Sequence, residues 1–110
     1  MTRLVIDDIR TFTIPVTAYA RTVFEARDLL FGHPWDEVWL DYDMGLEVTE
    51  ETTKPLVLEI ERLAHEGVFF PVGVFVIHTA NPDGRMAIRN ALSPYYPIRE
   101  VTAASYAPKA

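Results

Sequence analysis

Residues 72–81 read Val-Gly-Val-Phe-Val-Ile-His-Thr-Ala-Asn, an apolar run that changes abruptly into polar side chains. Two earlier stretches share this arrangement: RLVI at 3–6 leads into Asp7-Asp8, and EVWL at 37–40 leads into Asp41-Tyr42-Asp43. The apolar runs are short, rich in β-branched or aromatic residues, and continuous rather than alternating. Strands of a parallel sheet have this pattern because both of their faces are covered. The sequence therefore predicts three central strands, each followed directly by polar residues.

Helices are predicted between these strands. Thr22 with Glu25 forms a capping box, Pro55 fits the first turn of a second helix, and Asn81-Pro82 is typical of a third helix start. Glycine or Ser-Pro follows each apolar stripe and ends it. The helices are expected to span residues 22–32, 53–67 and 81–93.

Two weaker extended segments, residues 15–20 and 97–101, complete the pattern, and the second is expected at a sheet edge. Strands that alternate with helices predict an α/β domain with a mostly parallel five-stranded sheet. Only about eight residues, 8–15, join the first two strands, which is too few for an ordinary crossover helix. Either the first helix is reduced or missing, or the second strand runs antiparallel.

Composition limits the classes of function. The 110 residues suffice for one domain, and the absence of cysteine excludes disulfides, thiolate metal sites and a cysteine nucleophile. Sixteen acidic against ten basic residues give a net charge of -6, which argues against binding to duplex DNA. A single small phosphorylated ligand remains compatible, particularly with a divalent cation between acid and phosphate. Because no apolar run approaches the roughly 20 residues of a membrane span and no leader pattern opens the sequence, a cytoplasmic location is expected.

The polar residues after the strands are the candidate site. Ligands of parallel α/β sheets bind at the carboxyl ends of the strands, so Asp7, Asp8, Asp41 and Asp43 are expected at one rim. Clustered carboxylates repel one another unless some are protonated or a cation joins them, and Mg²⁺ or Mn²⁺ suits oxygen ligands. Asp7 or Asp8, together with Asp41, would hold that cation. The alternative interpretation of each single aspartate is a helix cap or a turn former.

The fourth strand adds neutral and basic groups to this rim. His78 either donates a proton to a leaving oxygen or only hydrogen-bonds a carboxylate and so fixes a loop. Asn81 opens a helix whose first N–H groups would suit a phosphate. Arg10 and Arg85 are candidate phosphate ligands, with an ordinary surface role as the alternative for each.

This set of residues resembles the receiver domain of two-component signalling. The resemblance implies that Asp41 is the phosphoacceptor, that Asp7 and Asp8 are Mg²⁺ carboxylates, and that Thr79 is the switch hydroxyl. The sequence departs from that pattern in two respects. A receiver carries a lysine after its fifth strand, whereas the two lysines here lie at positions 54 and 109, and there is no room for a first helix.

A divergent relative, the cyclic-phosphate processing receiver domain, is more similar. Three elements carry this resemblance: DD-x-R at residues 7–10, LD-x-D-x-G at residues 40–45, and H-x-x-N-P-x-G at residues 78–84. The resemblance implies a flavodoxin-like or receiver-like three-layer fold over residues 1–102, followed by a tail at 103–110. It also implies a ligand with a cyclic phosphate, either an RNA end or a nucleotide.

These observations predict a metal-assisted phosphoesterase acting on a cyclic phosphate. The expected roles are as follows: His78 and Asp43 catalytic; Asp7, Asp8 and Asp41 on Mg²⁺ or Mn²⁺; and Arg10, Thr79, Asn81 and Arg85 on the phosphate. A non-catalytic, degenerate receiver that binds a protein or a cyclic nucleotide is the alternative, and a homodimer is compatible with it. Plain phosphorylation of Asp41 is a third hypothesis.

Overall fold

The computed structural model describes residues 1–44 and 52–102. Its elements are β1 (Arg3–Ile6), β2 (Ala18–Ala20), α1 (Val23–Gly32), β3 (Trp35–Leu40), α2 (Lys54–His65), β4 (Val72–Ile77), α3 (Pro82–Leu92) and β5 (Ile98–Glu100). The glycine of the LD-x-D-x-G element, Gly45, and the expected tail at 103–110 lie outside the described residues. None of the helices described is long and apolar enough to cross a bilayer.

The five strands form one sheet in the order β2-β1-β3-β4-β5, and every neighbouring pair is parallel. This confirms the predicted flavodoxin-like α/β architecture. Of the two alternatives for the short connection, the structure shows that the first helix is missing, because β2 pairs with β1 in parallel and residues 7–17 contain no helix. β5 is the expected edge strand.

The register of the central strands aligns their carboxyl ends. Ile6 of β1 lies beside Leu40 of β3, and Leu40 lies beside Ile77 of β4. The ladder continues one residue further, because the Asp41 N–H donates to the carbonyl of Ile6 at 3.0 Å and the His78 N–H donates to that of Leu40 at 3.1 Å. The first polar residues after β1, β3 and β4 are Asp7, Asp41 and His78, and they therefore lie side by side on adjacent strands.

All three helices pack on one face of the sheet. Their buried residues join Leu4, Leu40 and Ile77 in the larger apolar cluster. The opposite face carries Trp39 and other apolar residues, and in the described part of the chain the loop between β1 and β2 covers it with Phe12. The third layer is thus formed by a loop, which takes the place of the missing crossover helix.

An ionic group also lies on that second face. Glu37 is buried, and its carboxylate accepts hydrogen bonds from Arg3 Nε at 2.7 Å, Trp39 Nε1 at 2.8 Å and Arg99 Nη2 at 3.2 Å. Burial raises the pKa of Glu37, but the bonds from Trp39 and Arg3 and the two guanidinium charges outweigh it, so the net pKa is lowered. The carboxylate therefore stabilises the fold in its ionised form.

Replacing Glu37 with Gln should lower the free energy of unfolding by about 1–2 kcal/mol at pH 7, because a hydrogen-bonded charge is lost from a buried position. A depressed pKa contributes stability above the ordinary value of 4.5, and this contribution disappears as the pH falls through the folded-state pKa. The difference in the free energy of unfolding between wild type and Glu37→Gln, measured with urea, should therefore shrink as the pH falls through the folded-state pKa of Glu37. Glu66→Gln is the control, since its pair with Arg62 is exposed. An equal loss in both variants at every pH would contradict this account.

Candidate active site

Three buried polar side chains meet where β1, β3 and β4 end. Asp7 is fully buried, His78 is 1% exposed and Asp41 is 7% exposed. One potential ligand atom of each lies within 4.8 Å of those of the other two. The structure thus brings together three residues that are 34 or more positions apart in the sequence, as the parallel register requires.

Asp7 is held by its own loop and by β4. Its Oδ1 accepts the N–H groups of Ile9 at 3.0 Å and Arg10 at 2.9 Å, and its Oδ2 lies 3.2 Å from His78 Nε2. Burial raises the pKa of Asp7, but the bonds to His78 and to the two backbone N–H groups outweigh burial, and the net pKa is lowered. Asp7 is therefore a stable carboxylate.

Asp41 has the opposite balance. Burial is the largest effect and raises its pKa; the charge of Asp7 adds to it, while attraction to His78 and a bond from the Tyr42 N–H only partly oppose it. The backbone here is fixed, since the Thr53 hydroxyl donates to the Asp41 carbonyl at 2.8 Å. A second negative charge beside Asp7 is thus costly, and a proton or a cation would relieve it.

His78 lies behind these carboxylates. Its ring is edge-on to Phe12, with centroids 5.4 Å apart, and tilted against Trp39 at 6.0 Å. The aromatic packing and the bond to Asp7 fix the imidazole in the interior. A direct catalytic role of His78 stays a prediction.

A cleft of about 250 Å³ opens in front of the three buried residues. Its described lining consists of Asp8, Ile9, Arg10, Asp41, Asp43, Thr79, Ala80 and Asn81. Most of the predicted site residues therefore face one space, with Asp7 and His78 behind it. Burial, and secondarily the charge of Asp7, raises the pKa of Asp8, although its own backbone N–H and two arginines oppose the rise.

The start of α3 differs from the expectation. Asn81 Oδ1 accepts the N–H groups of Asp83 at 3.0 Å and Gly84 at 3.2 Å, so the cap itself occupies the groups that were expected to bind phosphate. The Asn81 amide nitrogen instead reaches Asp43 Oδ2 at 3.4 Å, and Asn81 faces the cleft. Any contact of Asn81 with a phosphate would therefore use its side-chain amide.

Arg85 is committed to the backbone. Its guanidinium donates to the carbonyls of Thr79 at 2.7 Å and Val101 at 3.0 Å, and it lies 3.4 Å from a Glu100 oxygen. The side chain is not part of the described cleft lining. These bonds join β5 to the residues after β4, and phosphate binding by Arg85 stays a prediction.

The contact between Tyr42 and Gly84 was not foreseen. A Cβ atom on Gly84 would overlap the ring of Tyr42. Tyr42, from the LD-x-D-x-G element, therefore fills space that is open only because residue 84, in the H-x-x-N-P-x-G element, is glycine. The glycine of the H-x-x-N-P-x-G element was the available signal, but its partner could not be identified without the fold. The contact packs Tyr42, the neighbour of Asp43, against the first turn of α3.

Gly84→Ala should therefore destabilise the protein by about 1–3 kcal/mol through overpacking, although alanine is the better helix former by about 1 kcal/mol. Gly32→Ala is the matched control: no atom lies within 4 Å of the position that its Cβ would take, so it should be neutral or stabilising. Thermal unfolding of both variants provides the measurement. A Gly84→Ala variant as stable as Gly32→Ala would contradict the packing described here.

Comparison with known families agrees with this arrangement. The family model described as "Cyclic-phosphate processing Receiver domain" matches residues 2–94, which includes β1 to α3 and every residue of the buried cluster. No curated protein and no solved structure matches the chain. The match covers most of the 110 residues, and it confirms the resemblance carried by the three sequence elements. The chain therefore belongs to the cyclic-phosphate processing receiver domain family.

Proposed function

We propose that this domain is a metal-assisted phosphoesterase that opens a cyclic phosphate. The observation that carries the proposal is the charge of the cleft: Asp8, Asp41 and Asp43 line it, with Arg10 as the cation in its described lining. Such a cleft repels a phosphate unless a positive charge lies between the acids and the ligand. Membership of the family supports a cyclic phosphate as that ligand.

The residues fit a hard divalent cation. Oxygens of Asp7 and Asp41 converge behind the cleft, Asp8 lies at its wall, and burial, with the charge of Asp7 adding to it, raises the pKa of Asp41. Asp41 and Asp8, with Asp7 behind them, would hold Mg²⁺ or Mn²⁺. When bound, such an ion neutralises charge on the phosphoryl oxygens and polarises the phosphorus centre.

The chain's own side chains supply the remaining roles. Arg10, Thr79 and the amide of Asn81 face the cleft and would bind phosphoryl oxygens. Asp43, exposed at the mouth, would orient a water and take its proton as the water oxygen bonds to phosphorus. One ring P–O bond breaks as the new bond forms, the leaving oxygen takes a proton from solvent water, and a phosphomonoester results. His78 would act by holding Asp7 and Asp41 in place.

A second function is favoured by one specific observation. His78 is buried, and the described lining of the cleft contains neither an imidazole nor a lysine that would protonate the leaving oxygen. Without such an acid the domain would bind a cyclic nucleotide and retain it unchanged. This non-catalytic module is the alternative to the phosphoesterase.

Hydrolysis separates the two functions. We expect that the protein with Mg²⁺ or Mn²⁺ converts a nucleoside 2′,3′-cyclic phosphate into a phosphomonoester, followed by ³¹P NMR. Chelation of the metal or Asp41→Asn should abolish conversion, whereas Asp28→Asn, at an exposed position on α1, should leave it unchanged. Recovery of the intact cyclic compound, together with a ligand-induced rise in the Tm, would establish the binding module instead. If neither conversion nor a Tm shift is observed, both functions are contradicted.

Asp41→Asn also tests the charge argument without any substrate. A raised pKa means that ionised Asp41 is less favourable in the folded than in the unfolded chain, so neutral Asn should raise or preserve the Tm of the metal-free protein at pH 7. Mg²⁺ should raise the Tm of wild type and of Asp28→Asn but not of Asp41→Asn. An equal response of all three proteins would exclude Asp41 as a ligand.

A further inference from the structure

The wall of the cleft that carries Asp8, Ile9 and Arg10 belongs to the loop between β1 and β2. This loop replaces a crossover helix and therefore lacks the regular hydrogen bonds that would fix such a helix. The Asp7 carboxylate holds the first turn of the loop by accepting hydrogen bonds from the N–H groups of Ile9 and Arg10. The position of Arg10 at the cleft therefore depends on further contacts to the loop.

Arg21 makes such contacts. Its Nη1 donates to the backbone carbonyl of Asp7 at 3.1 Å and to that of Arg10 at 2.6 Å. One guanidinium thus joins both ends of the turn that carries the cleft wall. Because these carbonyls lie on either side of Asp8 and Ile9, the two bonds set the orientation of the whole turn.

The guanidinium is itself held in place. It stacks over the ring of Tyr19, with Cζ 4.2 Å from the centroid, and the Tyr19 hydroxyl accepts the N–H of Phe12 at 2.8 Å. The backbone N–H of Arg21 donates to Glu25 Oε1 at 2.8 Å in the first turn of α1. A planar group that stacks and donates at once is a specific property of arginine.

We propose that Arg21 is a positioning residue for the candidate site, which sets Arg10 and Asp8 at the cleft wall for binding the phosphate. The part concerning phosphate rests on the proposed function; the clamping of the loop does not. The described hydrogen bonds of the Arg21 guanidinium go to the two backbone carbonyls, it stacks on the Tyr19 ring, its charge also opposes the burial that raises the pKa of Asp8, and Arg21 is absent from the described cleft lining. It acts on a ligand through Arg10.

The test compares Arg21→Met and Arg21→Lys with wild type. Arg27→Met is the matched control: Arg27 also lies over an aromatic ring, 5.0 Å from the centroid of Phe31, and pairs with Glu59. Amide hydrogen exchange is measured at Ile9 and Arg10, whose N–H groups are protected by Asp7. Exchange at these two positions should become about tenfold faster in Arg21→Met, while amides of α2 keep their wild-type rates and the control leaves Ile9 and Arg10 unchanged.

Binding of Mn²⁺ alone and of inorganic phosphate with Mn²⁺ provides a second readout. Arg21→Met should weaken phosphate binding at saturating Mn²⁺ about tenfold and Mn²⁺ binding by a smaller factor, because Arg10 and Asp8 lie on the released turn whereas Asp41 keeps its contacts. Arg21→Lys keeps the charge but not the planar fork, and it should resemble Arg21→Met in exchange. It also provides the test if Arg21→Met does not fold.

The outcomes distinguish the positioning role from the proposed function. Unchanged exchange at Ile9 and Arg10 in both Arg21 variants would overturn the positioning role, whatever the protein binds. Faster exchange throughout α2 in the Arg21 variants, together with complete loss of Mn²⁺ and phosphate binding, would overturn it as well, since it would show a general structural defect. Faster exchange in the Arg21 variants, combined with a wild-type protein that binds neither Mn²⁺ nor phosphate, would retain the clamp and contradict the proposed function.

Discussion

The backbone register of three parallel strands determines the rest of this structure. The N–H of Asp41 bonds the carbonyl that ends β1, and the N–H of His78 bonds the carbonyl that ends β3, so three polar side chains leave the sheet as immediate neighbours. A shift of one residue in any of these pairings would turn the side chains to the opposite face. The apolar residues on both faces of the sheet hold this register, and the site is therefore a direct consequence of the core.

The same register creates a problem of buried charge, which the chain solves only in part. Asp7 receives two backbone N–H groups and His78, and its pKa is lowered despite burial. The described hydrogen bond to the Asp41 carboxylate comes from the Tyr42 N–H, and burial raises the pKa of Asp41. In the receiver pattern a lysine follows the fifth strand, whereas the lysine among the described residues of this chain, Lys54, lies at the start of α2. His78, from the end of β4, approaches both acids, and the described lining of the cleft has three acids against one arginine. That residual charge is the physical reason to propose a cation.

The sequence predicted the strands and their shared rim because apolar runs and the parallel rule depend on local pattern alone. It did not distinguish a missing helix from an antiparallel strand, since the direction of β2 is seen only in its pairing with β1, and Phe12 then covers the second sheet face. The start of α3 was wrongly expected to offer N–H groups to a phosphate, because the residue chosen as a cap, Asn81, occupies them. The Tyr42–Gly84 contact and the Arg21 bonds join residues distant in sequence, and no local pattern indicates such pairs.

Anomalous diffraction from crystals grown with Mn²⁺ tests the central claim most directly. The account predicts one strong peak at the carboxyl end of the sheet, about 2.1 Å from a carboxylate oxygen of Asp41 and within coordinating distance of Asp8 or Asp7. The peak should be absent in crystals of Asp41→Asn grown in the same way. Fully occupied Mn²⁺ elsewhere on the molecule, with none beside Asp41, would contradict the proposal that these acids hold a cation.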